Sequence, residues 1–152
     1  MAKAATAWNL DAADYPASGP LRAQLEFLLR YAFLAPSTHN TQPWQFDLRA
    51  DGIDIYIDDS RRLPVIDPQG RQRVMSCAAA LHNLRVAARA FGHKLAIELM
   101  PQAKVMPTLL ARVRVVGARR ILASDRALRD AIVTRRTNRQ PYLAKPVSFV
   151  IA

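Results

Sequence analysis

Apolar residues recur at helical spacing from Leu21 onward. Leu21, Leu25, Leu28 and Ala32 share one face, with Leu29 and Phe33 beside them. Arg22, Glu26 and Arg30 lie on the other face as opposite-charge neighbours at i,i+4. Pro20 stands where a first helical residue is favoured, with Ser18 or Gly19 as its cap. The spacing predicts a helix that ends near Ala35-Pro36. The period then changes from helical to two. Phe46 and Leu48 face one way in residues 44–49, and Ile53, Ile55 and Ile57 share a face in residues 53–58. That alternation predicts two half-buried strands, and Ala50-Asp51-Gly52 between them predicts a hairpin turn.

A loop through Arg61-Arg62-Leu63-Pro64 leads to Asp67-Pro68, which read as an N-cap and a first helical residue. The helix predicted from there runs to about Phe91 and stops at Gly92. Leu81, Leu84, Ala88 and Phe91 form its apolar stripe, and Ala78, Ala79, Ala80, Ala87 and Ala90 keep it slim enough for close helix packing. Residues 94–100 and 109–116 predict two further strands, and Asp125 is placed to cap a last helix over 126–134. Helices and strands mix without strict alternation, so the predicted class is α+β. Residues 1–19 read as an irregular arm and residues 20–134 as the folded unit.

A chain of 152 residues can bury a core without metal or disulfide staples. One cysteine, Cys77, excludes an intrachain disulfide framework and fits a reducing, cytoplasmic compartment. No apolar run approaches the roughly 18 residues of a membrane-spanning helix, and residues 1–10 lack the apolar core of a secretory signal. The net charge of +10 is uneven. From Ala111 onward ten Arg or Lys face two Asp, so the balance ahead of that is only +2. An anion site belongs in the last third of the chain.

Two segments carry candidate chemistry. Ala35-Pro36-Ser37-Thr38-His39-Asn40-Thr41-Gln42-Pro43-Trp44 offers several polar side chains from a short, proline-stiffened loop. Such a loop suits a heterocycle rich in carbonyls and ring nitrogens; a polar helix stop and strand start has the same composition. Arg135-Arg136-Thr137-Asn138-Arg139 sets three guanidiniums and a hydroxyl just after a helix, enough to clamp a phosphate. A basic helix C-terminus favoured by the macrodipole reads the same way. Cys77 reads as a small buried hydrophobe and Asn83 as a buried, hydrogen-bonded amide. His39, His82 and His93 have no metal-ligand spacing. Trp44 reads as a strand anchor, and Arg61-Arg62 and Arg119-Arg120 as solvated loop pairs.

The first segment resembles the APSxxNxQPW loop of the flavin-dependent nitroreductase family. Residues 76–92 are similar to that family's Ala-rich central helix, and Arg135 to Arg139, with Tyr142 and Lys145-Pro146-Val147, resemble its phosphate motif. In ordinary members the basic motif precedes the loop; here it follows by about a hundred residues. That order is similar to the Acg type, which fuses two nitroreductase-like halves in one chain. The resemblance implies a partial nitroreductase-like fold, a mixed sheet flanked by helices around the long Ala-rich helix, with residues 135–152 opening a second half. It implies FMN as cofactor, NAD(P)H as electron donor, and nitroaromatic or quinone-like small molecules as acceptors. Arg135, Thr137 and Arg139 would hold the FMN phosphate, with Arg136 adjacent. Ser37, Thr38, Asn40 and Gln42 would reach the flavin from the other half of the dimer-like unit. Thr137 stands where Ser is usual and keeps the hydroxyl, whereas Pro141 is an insertion that displaces Tyr142 from the simplest pattern. No side chain is assigned as catalytic, because the chemistry belongs to the flavin.

Two other readings stand beside this one. A non-catalytic flavin-binding or flavin-storing protein has the same fold. A basic nucleic-acid-binding domain rests on charge alone; the chain shows no helix-turn-helix, zinc-finger or RNA-recognition pattern. With one loop and one basic motif, the chain is expected to pair with a second copy or to lack its second half. Either way the apolar stripe of residues 76–91 is expected to be an open interface.

Overall fold

The computed structural model describes residues 9–138, 140 and 141. Three helices, α1 (Leu21–Ala32), α2 (Arg71–Ala90) and α3 (Ala123–Thr134), accompany four strands. The strands are β1 (Trp44–Leu48), β2 (Gly52–Ile57), β3 (His93–Leu99) and β4 (Leu109–Ala118). Their order in the sheet is β1-β2-β4-β3, and every neighbouring pair is antiparallel. The class is α+β as expected, but the sheet is antiparallel rather than mixed. The reason lies in one connection. The crossover through α2 returns β3 parallel to β2, as such crossovers do, yet β4 then inserts between them and runs opposite to both.

The helices pack on one sheet face, where Ile53, Ile55, Ala111 and Val113 are 2% exposed or less. Period-2 alternation puts Asp54 on the other face. There it is 2% exposed and held by Arg49 (3.2 Å) and Arg114 (2.9 Å). α2 lies between the sheet and the other two helices. Cys77, Ala80, Leu84, Ala87 and Ala88 are therefore buried within the chain itself. The expectation of an uncovered apolar stripe on α2 is corrected: α1, α3 and the sheet cover it. Val74 and Met75, near the start of α2, are its exposed large apolar side chains.

Two helix starts differ from the pattern reading. α2 begins at Arg71, because Asp67 to Gly70 is a turn and Gly70 takes a left-handed φ of 70°. Asp67 still caps the helix, from outside, by accepting the Arg73 N–H (2.9 Å). α3 begins at Ala123 with Leu122 as cap residue. Asp125 sits inside the first turn, accepts the Leu122 N–H (2.9 Å), and pairs with Arg119 (2.8 Å) and Arg89 (3.1 Å). That backbone bond, then the two guanidiniums, hold its carboxyl below the usual range. Arg119 is thus a buttress between two helices and no solvated loop cation. Among the described residues no helix is long and apolar enough to cross a membrane.

The described part of the N-terminal arm belongs to the core. It makes a 3-10 turn at Ala12–Asp14, and Tyr15 then stacks on Phe91 with ring centroids 4.2 Å apart. The Tyr15 hydroxyl lies 2.6 Å from His93 Nε2 and donates to Gln24 Oε1 at 3.0 Å. Burial holds the His93 imidazole below its ordinary value of 6.5. The unfolded chain therefore binds a proton here at a higher pH than the folded one, and stability rises with pH across that interval. We expect the melting temperature to fall as pH is lowered from neutral through about 6.5 and below. His93→Gln, which cannot titrate, should flatten that slope in melts followed by circular dichroism. An unchanged slope would remove His93 from the account.

Candidate cofactor site

α1 ends at Ala32 with Phe33 as its C-cap, and the chain turns through Leu34 and Ala35 into Pro36. A 3-10 turn follows at Thr38–Asn40. His39, Asn40 and Gln42 all adopt left-handed φ, at 51°, 57° and 49°. A residue with a Cβ carries a cost of about 1–2 kcal/mol in that region, less for Asn. Strain of this kind persists only where surrounding contacts impose it. Here the contacts are explicit. Ser37 Oγ accepts the Gln42 N–H (2.9 Å), and Thr41 Oγ1 donates to the Thr38 carbonyl (3.0 Å). Thr38 Oγ1 donates to Gln72 Oε1 on α2 (3.0 Å). The Pro43 carbonyl accepts from the Asp58 N–H (2.9 Å) and the Cys77 thiol (3.0 Å). Burial pushes that thiol up to about 12, so it stays protonated and can donate. Trp44, 5% exposed, anchors the exit into β1.

The basic segment leaves α3 and meets this loop. Arg135 Nη2 donates to the Leu34 carbonyl (3.0 Å), a contact across 101 residues of sequence. Arg135 Nη1 also donates to Thr137 Oγ1 (3.2 Å). Arg136 turns back on the helix end, donating to the Val133 (2.9 Å) and Arg135 (2.8 Å) carbonyls. Favourable placement of cations at a helix C-terminus is thus realised by Arg136. Between loop and segment lies a cavity of ≈ 390 Å³. Phe33, Leu34, Ala35 and Pro36 form its apolar wall, and Ser37, Asn40 and Gln42 its polar edge. Arg135, Arg136 and Thr137 close the far side. Among the described lining residues none is a carboxylate and two are guanidiniums.

Six of the eight expected site residues therefore meet in one cavity: Ser37, Asn40, Gln42, Arg135, Arg136 and Thr137. Thr38 does not line it. It belongs to a separate groove with Gln72, Met75, Ser76 and Ala79, which shares Pro36 and Ser37 with the cavity's lining. Arg139 lies outside the described residues, as do Tyr142 and Lys145-Pro146-Val147. The pattern reading missed Arg61, taken there as a solvated loop cation. Its Nη1 donates to both the Thr41 and Gln42 carbonyls, at 3.0 Å each. The Asp58-to-Arg61 spacing, i,i+3 of opposite charge, was the available signal.

A second cationic cavity sits at the other end of α2, lined by Arg85, Arg89, His93, Lys94 and Arg119. Arg89 and Arg119 are committed there to Asp125.

No family model matches the sequence. Among the proteins similar to it are two from Mycobacterium tuberculosis. "Putative NAD(P)H nitroreductase Rv3131" is 32% identical over 122 residues, which is 79% of this chain and 34% of that protein. "Putative NAD(P)H nitroreductase acg" is 33% identical over 118 residues, 78% of this chain and 35% of that protein. The chain spans about a third of the length of these relatives.

Proposed function

This chain belongs to the nitroreductase-like family, and from that premise we propose that it binds FMN and acts as an NAD(P)H-dependent oxidoreductase on nitroaromatic or quinone-like acceptors. The observation that carries the reading is the cavity where the polar loop meets the basic segment. Its volume of ≈ 390 Å³ lies within the range of about 300–1,000 Å³ typical of small-molecule sites. Its donor set fits the group. Arg135 and Thr137, with Arg136 beside them and Arg139 as a further ligand, would hold the phosphate through charge-assisted hydrogen bonds. The Asn40 and Gln42 amides and the Ser37 hydroxyl offer donors and acceptors to the carbonyls and nitrogens of the ring. Phe33 to Pro36 would give the ring an apolar wall. When bound, FMN supplies the redox chemistry, accepting hydride from NAD(P)H and passing electrons on. Thr38 acts from behind, tying the loop to Gln72.

The same reading extends to assembly. A second copy of the chain, or a second nitroreductase-like half, would cover the groove beside Thr38, where Met75 is 70% exposed.

One purified preparation tests these points together. We expect the chain to take up FMN, with flavin absorbance in the protein fraction, and to oxidise NADH or NADPH when a nitroaromatic or quinone is present. Light scattering on the loaded sample should give twice the chain mass. Flavin uptake without oxidation would favour the storage reading. No uptake, with retention on nucleic acid, would reject the flavin reading.

A further inference from the structure

We propose that Arg61 is the positioning residue of the loop that carries Asn40 and Gln42. Its guanidinium fixes the Thr41 and Gln42 carbonyls and so holds the left-handed backbone from which Asn40 and Gln42 face the cavity. What the loop serves rests on the flavin reading above; that Arg61 holds it rests on the geometry.

The geometry is unusual in one respect. The two carbonyls that Arg61 Nη1 contacts belong to successive residues, and both lie 3.0 Å away. In extended chain, successive carbonyls point to opposite sides. They converge on one nitrogen here because Thr41 is helical (φ −67°, ψ −25°) and Gln42 is left-handed (φ 49°). One donor bridging both carbonyls is therefore coupled directly to the backbone angle of Gln42. If Gln42 relaxed to an ordinary negative φ, the pair of acceptors would part.

Arg61 is itself oriented. It closes the 3-10 turn Asp59–Arg61 directly after β2. Its Nε lies 3.2 Å from Asp58 Oδ2. Asp58 is 8% exposed, and its other oxygen accepts from the Ser60 N–H (2.9 Å) and hydroxyl (2.6 Å). The Ser60 hydroxyl first, and the Arg61 charge further down, hold that carboxyl below its usual range, so it is ionised at neutral pH. The Asp58 N–H meanwhile grips the Pro43 carbonyl. Asp58 and Arg61 thus reference the loop to the rigid end of β2 at three successive carbonyls, those of Thr41, Gln42 and Pro43. An exposed ion pair by itself contributes little, and Arg61 is half exposed. A pair with no further role needs no backbone acceptors, whereas this one uses two. Arg61 is not among the residues lining the cavity, so it acts through the loop.

The experiment compares wild type with Arg61→Ala, Arg61→Lys and, as a control, Arg62→Ala. FMN affinity and the reduction potential of bound flavin are measured beside thermal melts. Amide hydrogen exchange is followed at Gln42, whose N–H donates to Ser37. Arg61→Ala should weaken FMN about tenfold, the scale of one charged hydrogen bond. It should shift the potential and speed exchange at Gln42, with the melting temperature within a few degrees of wild type. Arg61→Lys should recover part of the loss, because its ammonium can donate to the carbonyls but cannot also keep the fork on Asp58. Arg62→Ala should match wild type. Wild-type affinity and wild-type Gln42 exchange in Arg61→Ala would overturn the proposal while leaving the flavin reading intact. If wild type takes up no FMN, the flavin reading fails, and Gln42 exchange alone decides the role of Arg61. Should Arg61→Ala not fold, the same readouts on Arg61→Lys decide it, unchanged values counting against the proposal.

Discussion

Arg135→Ala is expected to lower FMN affinity about ten- to a hundredfold while riboflavin binding changes little. A hydrogen bond to a charged group contributes about 1.5–3 kcal/mol, and each 1.4 kcal/mol is roughly a factor of ten in affinity. Arg135 is tied to the fold by its bonds to the Leu34 carbonyl and to Thr137. Removing it takes a cation from the cavity and also frees the segment from the end of α1. Arg136→Ala should have a smaller effect, because Arg136 Nη1 donates to the Val133 and Arg135 carbonyls. Rising salt should weaken wild-type FMN binding more than that of Arg135→Ala, since ionic screening acts on the charge that the variant lacks. The decisive comparison is with riboflavin, which has the ring but no phosphate. Equal losses for both ligands would reject the phosphate assignment and leave Arg135 as a tie between α3 and α1.

The parts legible in the sequence were those whose cause is local. α1, β1 and β2 follow from periodicity, and Asn83 was expected to be buried with a partner; its amide donates to the Tyr31 carbonyl (3.1 Å). The loop and the basic segment were legible as chemistry because their polar side chains cluster within a few residues. What escaped depends on distant partners. Strand order could not be read, because β4 pairs with β2 across the whole of α2 and β3. Arg61 and Arg119 looked like solvated cations because the backbone carbonyls they grip lie 20 and 30 residues away. Asp67 and Asp125 were recognised as capping residues, but each caps from a position other than the expected one. Asp67 reaches in from a preceding turn, and Asp125 reaches back from within the helix. Capping chemistry marks the neighbourhood of a helix start, and boundary residues follow from the geometry around it. Thr38 fell on the α2 side of the loop for a similar reason. The left-handed turn at His39 and Asn40 separates its direction from that of Gln42, and the residue types hint at that turn only weakly, since His and Asn enter the region more readily than most side chains but far less than glycine.

Gly52→Ala is expected to destabilise the fold by about 3 kcal/mol or more, at the upper end of the overpacking range, and to lower the melting temperature by about 10 °C. Gly52 opens β2 opposite Arg114 of β4. A Cβ built there would lie 1.9 Å from the Val113 carbonyl oxygen and 2.9 Å from Arg114 Cα. Both are backbone atoms, so no side-chain rotation relieves the clash, and β2 must move away from β4. The neighbouring positions oppose that movement. Ile53 and Ile55 are fully buried on the helix side, and Asp54 is held by arginines on the other. The effect should also reach the candidate site, because β2 leads into Asp58 and Arg61, which grip the loop. Flavin affinity should then fall in step with stability, whereas in Arg135→Ala it falls while the fold holds. Melts of the variant, followed by circular dichroism and by flavin fluorescence, give both quantities. A variant that melts within two or three degrees of wild type would mean that β2 and β4 do not approach as closely at Gly52 as the structure places them, and that the sheet end carrying Asp58 is softer than its hydrogen bonds suggest.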